Sequence, residues 1–233
     1  MKRKYMIFSL IASAFLFYPT NAQASSDARV RVLHASPDAP AVDVLVNDKV
    51  EIEDLSFGNI TGYLSLPAGA YSVKVRPANS GGPDVISTSL NLRPGRDYTV
   101  AASNKLESIK ANVYVDKNFL ANDHKAKLRV LHLSPGAPAV DIALKNGKVL
   151  LKNLSYENAS RYLRLNPGKY DLEVRVAGTQ TVVQDLPGVE ISANKVYQVY
   201  AVGVVGGNPN FGIRLSSDNA TSLRDRFSHR LQD

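Results

Sequence analysis

Two histidine–aspartate pairs are the residues best placed to do chemistry: His34 with Asp43, and His132 with Asp141. Each pair frames a serine and two prolines, Ser36, Pro37 and Pro40 in the first case and Ser134, Pro135 and Pro138 in the second. An imidazole beside a carboxylate can relay protons or hold a divalent metal. A metal site needs further ligands, and the remaining histidines, His124 and His229, do not recur in register. Acid–base hydrolysis needs an activated nucleophile, and neither G-x-S-x-G nor H-E-x-x-H occurs in the chain. We therefore read both pairs as clasps that pin a proline-braced bend. No catalytic residue is assigned, and no metal or cofactor is expected. The competing reading is a secreted hydrolytic or metal-dependent enzyme built on the same pairs.

The elements that carry these residues come twice. Residues 31–44 read RVLHASPDAPAVDV and residues 129–142 read RVLHLSPGAPAVDI, an offset of 98 with changes only at Ala35, Asp38 and Val44. A second block, GYLSLPAGAYSVKVR at 62–76, returns as RYLRLNPGKYDLEVR at 161–175 with an offset of 99. The drift of one residue belongs in the hairpin between the blocks, where an insertion is easily absorbed. Within each copy the apolar period is two, as in half-buried strands. Val30, Val32 and His34 share one face while Arg31 and Leu33 take the other, and Tyr71, Val73 and Val75 alternate with Ser72, Lys74 and Arg76. Asn47-Asp48 and Asn146-Gly147 are two-residue hairpin signals. The prolines fix φ and forbid helix through each bend.

This spacing predicts seven or eight short strands per copy. The fold class is all-β, with two tandem β-sandwich domains of immunoglobulin-like or transthyretin-like outline after a cleavable signal peptide. The expected organisation is a leader over 1–24, a first sandwich over 25–120, a second over 126–216 and a tail over 217–233. Leu223, Phe227 and Leu231 give the tail helical spacing. The linker from Lys117 to Ala126 is short and lacks a Gly/Ser run, so the modules should be held close. Tyr63, Tyr71 and Tyr98, with Tyr162, Tyr170 and Tyr197, read as core or corner residues.

The two copies of RVLHxSPxAPAVD, with LPAGAYSVKVR as a second landmark, resemble the bacterial domain of unknown function 4397 family. The resemblance covers nearly all of the chain after the leader. It implies exported or envelope-associated proteins with tandem β-rich domains, and it carries over no catalytic residue. Gly136 departs from Asp38, so a role that needs that carboxylate is not shared by both copies.

Composition bears on address and partners. Lys2, Arg3 and Lys4, an apolar stretch from Met6 to Phe17, and Ala22-Gln23-Ala24 make a secretion signal with a small-x-small cleavage site. No later run is apolar and long enough to span a bilayer as a helix. An exported chain without cysteine suits a bacterium, because a domain of about 100 residues stands without disulfide staples. Residues 25–123 carry 10 basic and 12 acidic side chains, whereas 124–233 carry 15 and 9, giving nets of −2 and +6. The expected partners are an anionic cell-wall polymer, a polysaccharide or an envelope protein, and the expected location is secreted or cell-wall associated. Nucleic acid is not expected, since the basic residues are dispersed. A polysaccharide-binding module is a further reading, weakened by the absence of Trp. The acidic run Asp38, Asp43, Asp48, Glu51, Glu53 and Asp54 lacks EF-hand spacing and reads as solvated surface.

Overall fold

The computed structural model describes residues 27–120 and 124–222, so the leader and the tail beyond Ser222 lie outside the described residues. In the first copy the strands are β1 Ala28–His34, β2 Val42–Val46, β3 Lys49–Leu55, β4 Leu64–Leu66, β5 Gly69–Pro77, β6 Ile86–Leu92, β7 Asp97–Ser103, β8 Lys110–Asp116 and β9 Phe119–Leu120. The second copy repeats them as β10 Ala126–His132, β11 Val140–Leu144, β12 Val149–Leu154, β13 Leu163–Leu165, β14 Gly168–Val176, β15 Val182–Ile191, β16 Lys195–Val202, β17 Gly212–Asn219 and β18 Thr221–Ser222. The only helical element among the described residues is a single 3-10 turn, Leu106–Ser108. β17 runs to Asn219 and β18 follows at Thr221–Ser222, so strand structure extends into the stretch where the sequence predicts a tail.

Each copy is a sandwich of two four-stranded sheets. In the first, β4-β1-β7-β8 faces β3-β2-β5-β6; in the second, β13-β10-β16-β17 faces β12-β11-β14-β15. Strands β1 and β7 run parallel, as do β10 and β16, and the remaining pairs within these sheets are antiparallel. The parallel pairs are possible because the chain crosses the opposite sheet between them. The first core joins Val30 and Val32 to Val44, Val73, Val75, Leu90, Tyr98 and Val100. The second joins Leu128 and Val130 to Ile142, Val174, Tyr197 and Val199.

Local chemistry explains the turns. Asn47 and Asp48 both take positive φ, 50° and 64°, between the paired residues Val46 and Lys49, so they form the tight turn their types favour. The second copy uses a longer turn between Ala143 and Val149, which absorbs the one-residue drift. Tyr98 accepts the Arg93 N–H at 3.1 Å and Tyr197 accepts the Ser192 N–H at 2.9 Å, each tying a corner to its own sheet.

Candidate functional site

Strand alternation delivers His34 to the end of β1 on the same side as Val30 and Val32, fully buried. Its Nε2 lies 2.8 Å from the Pro40 carbonyl, and its Nδ1 accepts the Ser36 N–H at 3.3 Å. His132 repeats this with Pro138 at 3.0 Å and Ser134 at 3.4 Å. An Nε2–H tautomer satisfies both contacts, because one ring nitrogen must donate while the other accepts. The rings stand edge-on to Phe57 and Tyr156, at centroid distances of 6.3 and 6.1 Å. The imidazole thus bridges the two ends of the bend through backbone groups.

The aspartates take other partners. Val42 and Val44 point into the core, so Asp43 between them faces outward from the opposite sheet, away from His34. Asp43 Oδ1 accepts the Asp54 N–H at 3.1 Å, and Oδ2 stands 3.8 Å from Arg76. Asp141 accepts two amides, Asn153 N–H at 2.7 Å and Gly178 N–H at 3.0 Å. Asp54 and Asn153 have φ of 50° and 51°, and the ladder shifts register beside them. Each carboxylate therefore satisfies the amide of a left-handed residue that the bulge removes from the ladder. The histidine–aspartate clasp expected from the sequence is two separate devices, on two different sheets.

The serines and prolines complete the bends. Ser36 Oγ lies 3.5 Å from Asp38 Oδ1, which also accepts the Leu106 N–H at 2.7 Å and so caps the 3-10 turn. In the second copy Gly136 replaces Asp38, and Ser134 donates to the Gly203 carbonyl at 2.5 Å instead. Pro37 and Pro135 are buried while Pro40 and Pro138 are exposed, offering their carbonyls inward to the rings. Among the described residues no three His, Asp or Glu side chains converge as a metal-binding group.

Two expected outcomes follow from this geometry. Burial pulls the pKa of both imidazoles below the ordinary 6.5, opposed by the hydrogen bonds to Pro40 and Pro138. The unfolded chain then binds more protons than the folded one just below that value, so stability is complete above pH 6.5 and declines as pH falls toward the lowered folded values. Thermal melts from pH 7.5 to 5 should show a loss of up to about 1.4 kcal/mol per pH unit for each histidine. The His34→Gln/His132→Gln double variant should flatten that slope; an unchanged slope would refute the assignment. Separately, Asp141→Ala should cost about 2–4 kcal/mol and Asp43→Ala about 1–2, since the first strands two backbone amides and the second strands one. Urea denaturation of the two variants tests the order.

The other face of the motif strands holds the larger feature. Arg31 and Leu33 on β1, with Arg129 and Leu131 on β10, project away from their own cores. They meet in a seam between the modules, where Leu33, Ala35, Ala101 and Tyr114 pack on Leu131, Leu133, Tyr200 and Val202. The four sheets stack with the two motif-bearing sheets innermost. Polar contacts across the seam are reciprocal. Arg31 reaches Asp218 at 3.0 Å and Ser216 at 3.1 Å in the second module, while Arg129 reaches Asp116 at 3.2 Å in the first. Asp116 and Asp218 are equivalent, for they pair with Asp97 and Val196 on corresponding strands.

Asp116 is the hub. Its buried carboxylate accepts Thr99 at 2.6 Å, Tyr63 at 2.7 Å and Arg129, with Arg31 Nη2 at 3.9 Å. Burial, with the Asp116 charge nearby, pushes the Tyr63 phenol well above its ordinary value. Tyr114, raised to about 12 chiefly by burial, donates to the Glu157 carbonyl at 2.8 Å. Lys110 pairs with the Glu157 carboxylate at 2.7 Å. Gly58 occupies the position equivalent to Glu157, and a Cβ there would stand 2.7 Å from the Arg214 guanidinium with φ at +79°. The copies differ where the seam is tightest.

The linker is part of the seam. Lys127 donates to the Phe119 carbonyl, Tyr162 accepts the Lys117 N–H at 3.0 Å, and Asn118 is fully buried. β9 pairs in parallel with β18, Phe119 opposite Thr221 and Leu120 opposite Ser222. Sequence reading placed Arg31 and Leu33 on an outer face and missed this contact. The available signal was a leucine on that nominally outer face in both copies, beside an arginine that also recurs.

The geometry defines a class: a tandem β-sandwich protein whose repeated motif builds both the internal bends and the joint between the repeats. The chain belongs to the domain of unknown function 4397 family, whose model matches residues 28–143 and 143–228. The first match runs through the second copy's bend, so the two segments meet inside β11. No curated protein matches the chain. Among solved structures, the C-terminal domain of AlgF from P. aeruginosa is 22% identical, covering 41% of this chain and 100% of that one, with a TM-score of 0.34. A Bacteroides uniformis protein whose proposed role is cell adhesion is 10% identical over 88% of this chain and 100% of that one, with a TM-score of 0.28. A family 26 carbohydrate-binding module from Eubacterium rectale Amy13K, solved with maltoheptaose, is 10% identical over 84% and 97%, with a TM-score of 0.25. Similarity this low carries no function across. No helix among the described residues is long and apolar enough to cross a membrane.

Proposed function

We propose that the chain is an exported, non-enzymatic binding protein of the cell envelope or extracellular matrix, in which the repeats form one rigid scaffold and the surfaces where they differ engage the partner. The observation that carries this reading is the engagement of the repeated polar residues. Both nitrogens of each buried imidazole face backbone groups of the bend, and each motif aspartate holds a bulge on another sheet. A general base must reach the proton it abstracts, and these rings present neither nitrogen to solvent. The net charge of +6 over 124–233, 15 basic against 9 acidic side chains, favours an anionic polymer. Of the acidic side chains already counted, Asp185 pairs with Lys145, Glu190 with Lys169 and Glu173 with Arg175.

Retention of the full mature chain on isolated envelope fractions tests the proposal. Binding should weaken from 50 to 500 mM salt as exposed charges are screened. The His34→Gln variant should be retained as well as the unaltered chain at a temperature where both are folded. Absence of retention on every fraction would overturn the reading. So would hydrolysis of an envelope polymer by the unaltered chain that His34→Gln abolishes.

A further inference from the structure

A groove of about 420 Å³ lies on the outer sheet of the second module, lined by Asp141, Val149, Lys152, Asn153, Gly178 and Gln180 among others. We infer that this groove is the subsite for an anionic, hydroxyl-rich polymer; the assignment rests on the proposed envelope binding and names where it occurs. The chemistry of the lining points to such a ligand. Among the described residues Asp141 is the only carboxylate in the lining, and both its oxygens accept amides, those of Asn153 and Gly178. Arg175 is buried against Glu173 and also donates to Gln180 Oε1 at 2.6 Å. That contact fixes the amide so that its Nε2 donors are left for the groove. Lys152 is exposed and has no ion-pair partner among the described residues, unlike Lys145 and Lys169 of the same module. The groove therefore offers a free ammonium and side-chain amide donors around a small apolar floor of Val149 and Ala177. A carboxylate or phosphodiester flanked by sugar or glycerol hydroxyls matches that set.

The first module carries the opposite charge at the equivalent place. Asp54 and Asn153 are equivalent, since each gives its amide to the motif aspartate from a left-handed conformation. The residue before each is then Glu53 in the first copy and Lys152 in the second, a reversal of charge on a shared scaffold. The bordering turn is closed alike in both copies, by Ser80 on the Pro77 carbonyl and Gly82 N–H and by Thr179 on the Val176 carbonyl and Thr181 N–H. The first hairpin runs on past Pro83 to β6 at Ile86, whereas the second re-enters a strand at Val182. One repeat has kept an acidic rim where the other presents a cation.

The test uses the full mature chain with poly(glycerol phosphate) and polygalacturonate as probes, and neutral dextran as reference, in affinity electrophoresis and calorimetry. Lys152→Glu should weaken binding of the anionic probe about tenfold, because it reverses the free charge. Gln180→Ala should weaken it about threefold, and Lys148→Glu, the same charge change on the neighbouring turn, less than twofold. Binding of one probe alone assigns the anion as phosphodiester or carboxylate; both results support the groove. Equal losses from Lys148→Glu and Lys152→Glu would overturn it in favour of a diffuse field. Envelope retention that Lys152→Glu leaves intact would overturn the groove while envelope binding stands. Loss of retention by the unaltered chain would instead overturn the functional reading beneath it. Melting temperatures of the exposed-site variants within about 2 °C of the unaltered chain establish that folding is not the cause.

Discussion

Asp116→Ala should destabilise the chain by about 3–5 kcal/mol, the scale set by leaving a buried ion without its partner. The carboxylate is buried and takes bonds from Thr99, Tyr63 and Arg129. Removing it leaves two guanidinium groups, Arg31 and Arg129, in a buried seam with one fewer anion between them. Arg31 keeps Asp218, whereas Arg129 keeps the Val115 carbonyl at 3.0 Å and the Tyr162 side chain but no other carboxylate among the described residues. The loss should therefore shrink when Arg129 is removed as well. In a double-mutant cycle, Asp116→Ala with Arg129→Met should cost less than the sum of the single changes by more than about 1 kcal/mol. Urea denaturation at pH 7 measures all four chains, and additivity would show that the pair is not the source of the effect.

The second large effect lies in the apolar part of the same seam. Leu33 and Leu131 are completely buried, each against the other module. Truncation to alanine should cost about 2–5 kcal/mol at either position, from lost transfer energy plus the cavity left behind. The shape of the transition is more telling than its midpoint. With the seam intact, both sandwiches should unfold together, and the calorimetric and van't Hoff enthalpies should agree for the full chain. The double change Leu33→Asp/Leu131→Asp places two unpaired carboxylates in the seam and should split the melt into two transitions. Two transitions in the unaltered chain would contradict a shared core.

These outcomes turn on the strand face that sequence patterning describes least well. Alternation assigned Val30, Val32 and His34 to one side and Arg31 and Leu33 to the other, and both assignments match the two faces of β1. Periodicity reports that a side chain points away from its own core; it does not report what stands there. An arginine on such a face reads as solvated, yet Arg31 is 2% exposed because the other repeat supplies Asp218 and Ser216. Those partners lie 187 and 185 residues away, beyond the reach of any local pattern.

The motif shows the same division at shorter range. Spacing located the bends, the hairpin at Asn47-Asp48 and the one-residue drift, since prolines, left-handed residues and alternation act locally. It paired His34 with Asp43 because the two are close in sequence and chemically matched. The bend between them passes from one sheet to the other, and alternation on β2 then turns Asp43 outward. The imidazole is left to bridge backbone, and the carboxylate to hold a bulge.

The sequence alone was sufficient for the duplication, the strand faces and the turn positions, all of which follow from short-range sterics and a period of two. The joining of the repeats into one stacked body, the reciprocal arginine–aspartate contacts and the contrast of Glu53 with Lys152 at matching positions required the folded chain. Each depends on residues brought together across two sheets or two modules, where burial and low local dielectric, rather than neighbouring sequence, determine which groups meet.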